Sequence, residues 1–305
     1  ITNPDAASTE AATATAKVLW EFTDPDMGFS FGQPQIAKTR KHGWVAFLSS
    51  GYNNTGNGYL YVVDVKTGAL LEKISTGVDA GGGMSEVTGW VPSAGDYTAE
   101  QVYAGDLNGN IWRFDVSQPA SNTAAFPAPV KMATLTDGSK AQPITTAPRI
   151  DLVGSDRWVV VGTGKLLSVG DDLDKQQQTM YVFKDGNKVQ PFVNPGDTSG
   201  APILPNGLSF PLSLRGADMI SVSDTELLIS NSARMNGKIG WFHNFTGADA
   251  TSGGTERVHV TPIVRSGLVA WTTGLPQGAD PCTSNMSSRA YVAGITDAKS
   301  RVLRY

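Results

Sequence analysis

The stretch Gln101-Val102-Tyr103-Ala104-Gly105-Asp106-Leu107-Asn108-Gly109-Asn110-Ile111-Trp112-Arg113-Phe114-Asp115 reads as two short strands joined by a tight turn. Aromatic and β-branched residues fill both arms, and Asn108-Gly109 supplies the positive φ angles that such a turn demands. Asp106, Asn108 and Asn110 alternate here, which turn chemistry explains better than metal coordination.

Outward from this hairpin the chain repeats itself. Gln33-Pro34-Gln35-Ile36, Ala147-Pro148-Arg149-Ile150 and Thr261-Pro262-Ile263-Val264 share one pattern, and 114 residues separate Pro34 from Pro148 and Pro148 from Pro262. Each is followed by a turn and an apolar run: Trp44 to Leu48, Trp158 to Val161, and Leu268 to Trp271. A Gly beside a small polar residue ends each run, at Gly51, Gly162 and Gly274, and an aromatic strand comes next (59–64, 180–183 and 290–293). Between these lie the 101–115 hairpin and a segment of similar grammar, 226–230 with 240–245. The spacing therefore predicts five units, two to each 114-residue step.

Each unit is too small to bury both faces of its sheet, so neighbours must stack on it. Stacking about an axis gives a β-propeller, typically of 4–8 blades. A β-sandwich would not repeat, and a solenoid would repeat at a shorter, more regular period. The expected fold is all-β: a single propeller over residues 17–305, with 1–16 as a flexible linker. Strand 17–22 is expected to pair with 301–305 and clasp the ring.

Composition agrees with short strands and many turns: 34 Gly, 17 Pro and only 17% charged residues in 305. A net charge of −4 and the lack of any long Lys/Arg run argue against nucleic acid. No apolar run approaches the ~20 residues of a membrane span. The polar opening ITNPDAASTEAATATA is no signal peptide, so the chain reads as a mature form or as a piece whose N-terminal part lies elsewhere. Cys282 is the sole cysteine and reads as a free thiol, since His42, His243 and His259 stand in no catalytic spacing to it. Gly162-Thr163-Gly164-Lys165 is too short for a phosphate loop, and Asp171, Asp172 and Asp174 read as a solvated turn.

Five phrases, SSGYNN (49–54), YAGDLNGNIWRFDVS (103–117), VVVGTGKLL (159–167), GTERVHVTPIV (254–264) and DPCTSNMSS (280–288), together resemble the C-terminal domain of the PilY/PilC family of type IV pilus proteins. Residues 58–68 also resemble the blade ending of quinoprotein-like propellers. The resemblance implies a modified, quinoprotein-like propeller of about seven blades. It implies secretion through the periplasm to the cell surface, pilus tip or outer membrane, and roles in pilus assembly, opposition to retraction, twitching motility and adhesion. The implied partners are minor pilins or the tip complex, a host or abiotic surface, and the N-terminal part of the same protein.

Family members commonly carry a calcium loop, D-x-D-x-D-G-x-x-D, just before the YAGD phrase. Aligned back from Tyr103, Pro92 and Ala94 offer no side-chain oxygen and Tyr97 replaces the Gly, leaving Asp96 and Glu100 as candidate metal residues. Calcium wants six to eight oxygens. An ordinary loop with no cofactor is therefore the preferred reading, with calcium as the alternative. No GxSxG, HExxH or P-loop motif occurs, so a binding module is expected rather than an enzyme. The alternatives are an adhesin without a regulatory role, or a quinoprotein-type oxidoreductase. Arg215-Gly216-Ala217-Asp218 is not an Arg-Gly-Asp motif. Segments 118–142 and 186–215 read as loops between blades and as candidate contact surfaces.

Overall fold

The computed structural model describes residues 18–54, 56–77, 82–92, 95–187, 204, 207–248, 254–277 and 285–300. Its strands form four sheets that follow one another along the chain. The first is β1 (Gln35–Thr39), β2 (Gly43–Ser49), β3 (Tyr59–Asp64) and β4 (Leu70–Ser75); the second is β5 (Thr88–Trp90), β6 (Gln101–Gly105), β7 (Asn110–Asp115) and β8 (Val130–Thr134). The third holds β9 (Arg149–Val153), β10 (Asp156–Gly162), β11 (Thr179–Asn187), β12 (Met219–Ser221) and β13 (Gly240–Asn244), ordered β12-β13-β11-β10-β9. The fourth is β14 (Ile263–Arg265), β15 (Leu268–Gln277) and β16 (Asn285–Gly294).

The three repeated prolines each sit one residue before a first strand, at Gln35, Arg149 and Ile263. Proline has no N–H to give a ladder, so a strand start is where it fits. Alternation then does the stacking, because successive side chains leave opposite faces of a strand. Val102, Ala104, Trp112 and Phe114 pack against Val45, Phe47, Leu60 and Val62 of the first sheet. Tyr103 and Ile111, on the other face, pack against Val159, Val161, Tyr181 and Phe183 of the third. Trp158, Val160, Met180 and Val182 then meet Val269, Trp271 and Ala293 of the fourth. The two middle sheets are apolar on both faces because each is sandwiched.

The hairpin turn departs from expectation in detail. Only Gly109 has positive φ, at 75°. A Cβ there would lie 2.7 Å from the Leu135 carbonyl oxygen, so glycine serves close approach as well as the turn. Asp106 organises the rest: its carboxylate accepts from the Asn110 amide (2.8 Å), Asn110 Nδ2 (2.9 Å) and the buried Trp112 indole (2.8 Å).

Four expectations are corrected. The unit at 226–245 is not a blade: Glu226–Leu228 is a 3₁₀ turn, and Leu228 and Ile229 are exposed. β13 instead pairs antiparallel with β11 and extends the third sheet. Gly240 permits this, since a Cβ there would meet the Val182 carbonyl oxygen at 2.1 Å. Residues 18–22 form no strand. Trp20 donates its indole N–H to the Val65 carbonyl (2.9 Å) and Phe22 meets Tyr61 edge-on at 5.3 Å, so the segment covers the outer face of the first sheet by side-chain packing. Segment 118–142 is not all loop, because it contains β8, with Met132 and Ala133 fully buried. In the described part of 186–215, Leu204, Leu212 and Leu214 are core residues and Leu212 pairs with Ala133. The proposed linker at 1–16, most of 186–215, Cys282 and the clasp at 301–305 lie outside the described residues.

Candidate functional site

Where the sheets begin, the connecting segments converge on a cavity of about 240 Å³. Its wall carries the repeat: Phe31, Thr145 and His259, all lining it, are 114 residues apart at each step. Gly32 and Thr146, one residue on, line it too. Gly32 is required by closeness, as a Cβ would lie 2.8 Å from Glu86 Cα.

Among the described residues Glu86 is the only charged side chain in this lining once His259 is neutral. Burial, with the Arg257 charge assisting against a backbone hydrogen bond, holds the His259 imidazole below its ordinary pKa. Burial and then the Glu86 charge push the Tyr52 phenol well above its usual range, so it stays protonated and donates to the Thr145 carbonyl (3.1 Å). Thr261 donates a long bond, 3.4 Å, to Glu86 Oε2. Among the described residues no Lys or Arg forms an ion pair with Glu86. The Thr146 hydroxyl is buried and has no hydrogen-bond partner. Phe31 stacks on Tyr52 with centroids 6.3 Å apart, yet Phe31 is 73% exposed.

Beside the cavity runs the loop from Lys165 to Asp174, held from within by Arg257. Its guanidinium donates to the carbonyls of Lys165 (3.0 Å), Asp174 (2.9 Å), Thr255 (3.0 Å) and Asp171. Asp171 Oδ2 accepts from the Leu167 (2.8 Å) and Ser168 (2.9 Å) amides, and Lys165 pairs with Oδ1 at 2.9 Å. Burial would raise the Asp171 pKa, but Lys165 and these amides outweigh it and hold the carboxyl below its ordinary value. The acidic cluster at 171–174 is thus partly a loop-fixing device and not simply a solvated turn. On this fixed frame Leu167, Val169 and Leu173 point outward, Val169 fully exposed.

The calcium candidates have other occupations. Asp96 Oδ1 accepts from the Thr98 amide at 2.9 Å, within its own turn. Glu100 is buried and pairs with Arg40 at 2.9 Å, while Arg40 also donates to the Ser117 carbonyl. Tyr97 sits at φ 56°, the conformation for which the family pattern has Gly. Among the described residues no group of three or more His, Cys, Asp and Glu could hold a metal ion. Sequence reasoning missed Glu86 and Arg257. The 114-residue register, read across Phe31, Thr145 and His259, was the one signal pointing to the cavity.

The model of the PilY1 β-propeller domain matches residues 20–209, more than half of the chain. The chain belongs to the PilY1 β-propeller domain family. Among PilY1 relatives, a type IV pilus biogenesis factor PilY1 homolog of Xylella fastidiosa is 27% identical over 91% of this chain and 19% of its own length. The type IV pilus biogenesis factor PilY1 of Pseudomonas aeruginosa (strain UCBPP-PA14) is 31% identical over 55% of this chain and 17% of its own length. The chain therefore spans about a fifth of the curated relatives it matches. The crystal structure of the P. aeruginosa PilY1 C-terminal domain aligns with 94% of this chain and 63% of its own, with TM-score 0.70 and 22% identity. At that identity the likeness speaks to the PilY1 fold alone.

Proposed function

We propose that this chain is a non-catalytic propeller of a type IV pilus biogenesis factor, which docks onto the pilus machinery and regulates pilus assembly and retraction. The observation that carries the reading is family membership, with relatives of that name matching over nine-tenths of the chain. The rigid loop presenting Leu167, Val169 and Leu173 suits a docking surface, since loops on a fixed scaffold commonly carry recognition. Surface adhesion and twitching motility follow from the same role, at the cell surface or pilus tip. Among the described residues no helix is long and apolar enough to cross a membrane.

A ring of about seven blades belongs to this proposal. What supports further blades is the fourth sheet, whose outer face carries Leu268, Ala270 and Val292 with no sheet stacked on it among the described residues.

Deleting residues 20–300 from the full-length protein tests the function. If surface pili vanish and return when the retraction motor is also removed, the domain opposes retraction. Pili absent in both backgrounds place it in assembly, and normal piliation throughout sinks the regulatory reading in favour of adhesion alone.

The loop before Tyr103 is proposed to work without calcium, with Arg40 supplying the positive charge beside Glu100. Calorimetric titration of full-length protein should give the same calcium stoichiometry for wild type and Glu100→Gln. Loss of one site in the variant would show that calcium binds there after all.

A further inference from the structure

We propose that the cavity lined by Phe31, Tyr52 and Glu86 is a binding site for an ammonium group, carried by a lysine side chain or by a free small amine. The inference goes beyond the pilus role and does not depend on it.

Three observations lead there. The first is charge. Among the described residues Glu86 is the only formal charge lining the cavity; it is partly buried, and its contact with Thr261 is long. A carboxylate removed from water without a cation is costly, and a cation placed beside it recovers that cost through charge-assisted hydrogen bonding. An anionic ligand meets the opposite situation, since neutral His259 offers no compensating charge.

The second observation is the wall. Phe31 and Tyr52 stack beside the carboxylate, and an aromatic face within ~6 Å of an ammonium adds cation–π attraction. Phe31 is mostly exposed, although an apolar ring gains by burial. A ligand crossing the cavity mouth would cover it. The alkyl part of a lysine suits Leu166 and Leu167 on the same lining.

The third is hydrogen-bonding capacity. Thr145 and Thr261 line the cavity together with Glu86. Hydroxyl and carboxylate oxygens together offer acceptors to the three N–H donors of a primary ammonium. About 240 Å³ is the volume of roughly eight waters at ~30 Å³ each, ample for a lysine side chain.

The test is calorimetric titration of the full-length protein with three probes: Nα-acetyl-lysine methylamide, methylammonium chloride, and Nα-acetyl-norleucine methylamide, which has the lysine analogue's chain but no charge. The lysine analogue or methylammonium is expected to bind, and the norleucine analogue is not. Tighter binding of the lysine analogue points to a protein side chain as the natural source; tighter binding of methylammonium points to a free small primary amine. Glu86→Gln, which keeps the shape, should weaken amine binding about tenfold or more. Phe31→Ala, cut from an exposed ring that the core does not need, should weaken it severalfold. The site is refuted if neither amine binds, if the norleucine analogue binds as well as the lysine analogue, or if Glu86→Gln leaves affinity unchanged. A piliation defect on deleting the domain would stand whichever way this titration falls, so the two readings fail separately.

Discussion

Replacing Asp185 by alanine is expected to cost about 3–5 kcal/mol of folding stability, the range for breaking a buried ion pair from one side. Asp185 lies on β11 with no exposed surface. Its carboxylate joins two sheets: Arg157 of β10 approaches at 3.1 Å, and Arg113 of β7, in the second sheet, donates to its other oxygen. The Tyr103 hydroxyl also donates to it, and burial keeps that phenol protonated. The guanidiniums are boxed in, Arg113 at 5.0 Å from the Phe210 ring and Arg157 at 5.7 Å from Trp90. Removing the carboxylate leaves both without the acceptor they share, with little exposed surface of their own.

Urea unfolding of the variant against wild type measures the loss. Should Asp185→Ala fail to accumulate, Asp185→Asn keeps the shape and can be compared instead, and it should still lose more than 1 kcal/mol. A loss below about 1 kcal/mol would mean that water or neighbouring carboxylates compensate the arginines, which would overturn the account. The contrast is Lys73 with Asp24 and Asp26, at 2.7 and 2.6 Å but partly exposed. Cutting that pair should cost less than about 1 kcal/mol, because solvent already screens it.

Arg257→Met is the second large effect, and it should be local before it is global. Four backbone carbonyls lose a charged donor at once, and each such bond contributes about 1.5–3 kcal/mol before compensation by water. Methionine retains much of the stem's packing, so the loss is chiefly polar. Hydrogen exchange of the 165–174 amides should accelerate by at least tenfold, while amides of β10 and β11 keep their protection. If the loop exchanges at the wild-type rate, Asp171 and Lys165 hold it unaided and Arg257 is redundant. Were Leu167 and Val169 used in docking, the same variant would weaken docking without touching an exposed residue.

Much of the architecture could be read before any coordinates. The period between Pro34, Pro148 and Pro262 located three first strands to the residue, because a residue lacking an N–H can stand only where a ladder begins. Double-sided apolar runs such as Trp158-Val159-Val160-Val161 announced sheets covered on both faces, as found. Periodicity could not say that β13 would join the third sheet. A strand's pattern records which faces are buried but not which neighbour buries them, and that choice turned on Gly240 fitting against Val182. Val18 to Phe22 misled for a related reason: its aromatic residues needed a surface, which side-chain docking on the first sheet supplied without any ladder.

The chain's own order of residues thus determined the repeat, which is counted along the chain, and the strand starts and the turn at Gly109, which rest on neighbours within a few positions. Only the tertiary structure decided what sits together across long separations. Glu86 came to lie among Phe31, Tyr52 and His259, and Arg257 inside the loop at 165–174. Charge and hydrogen bonding act over a few ångströms of space, so their partners are set by how the sheets stack on one another.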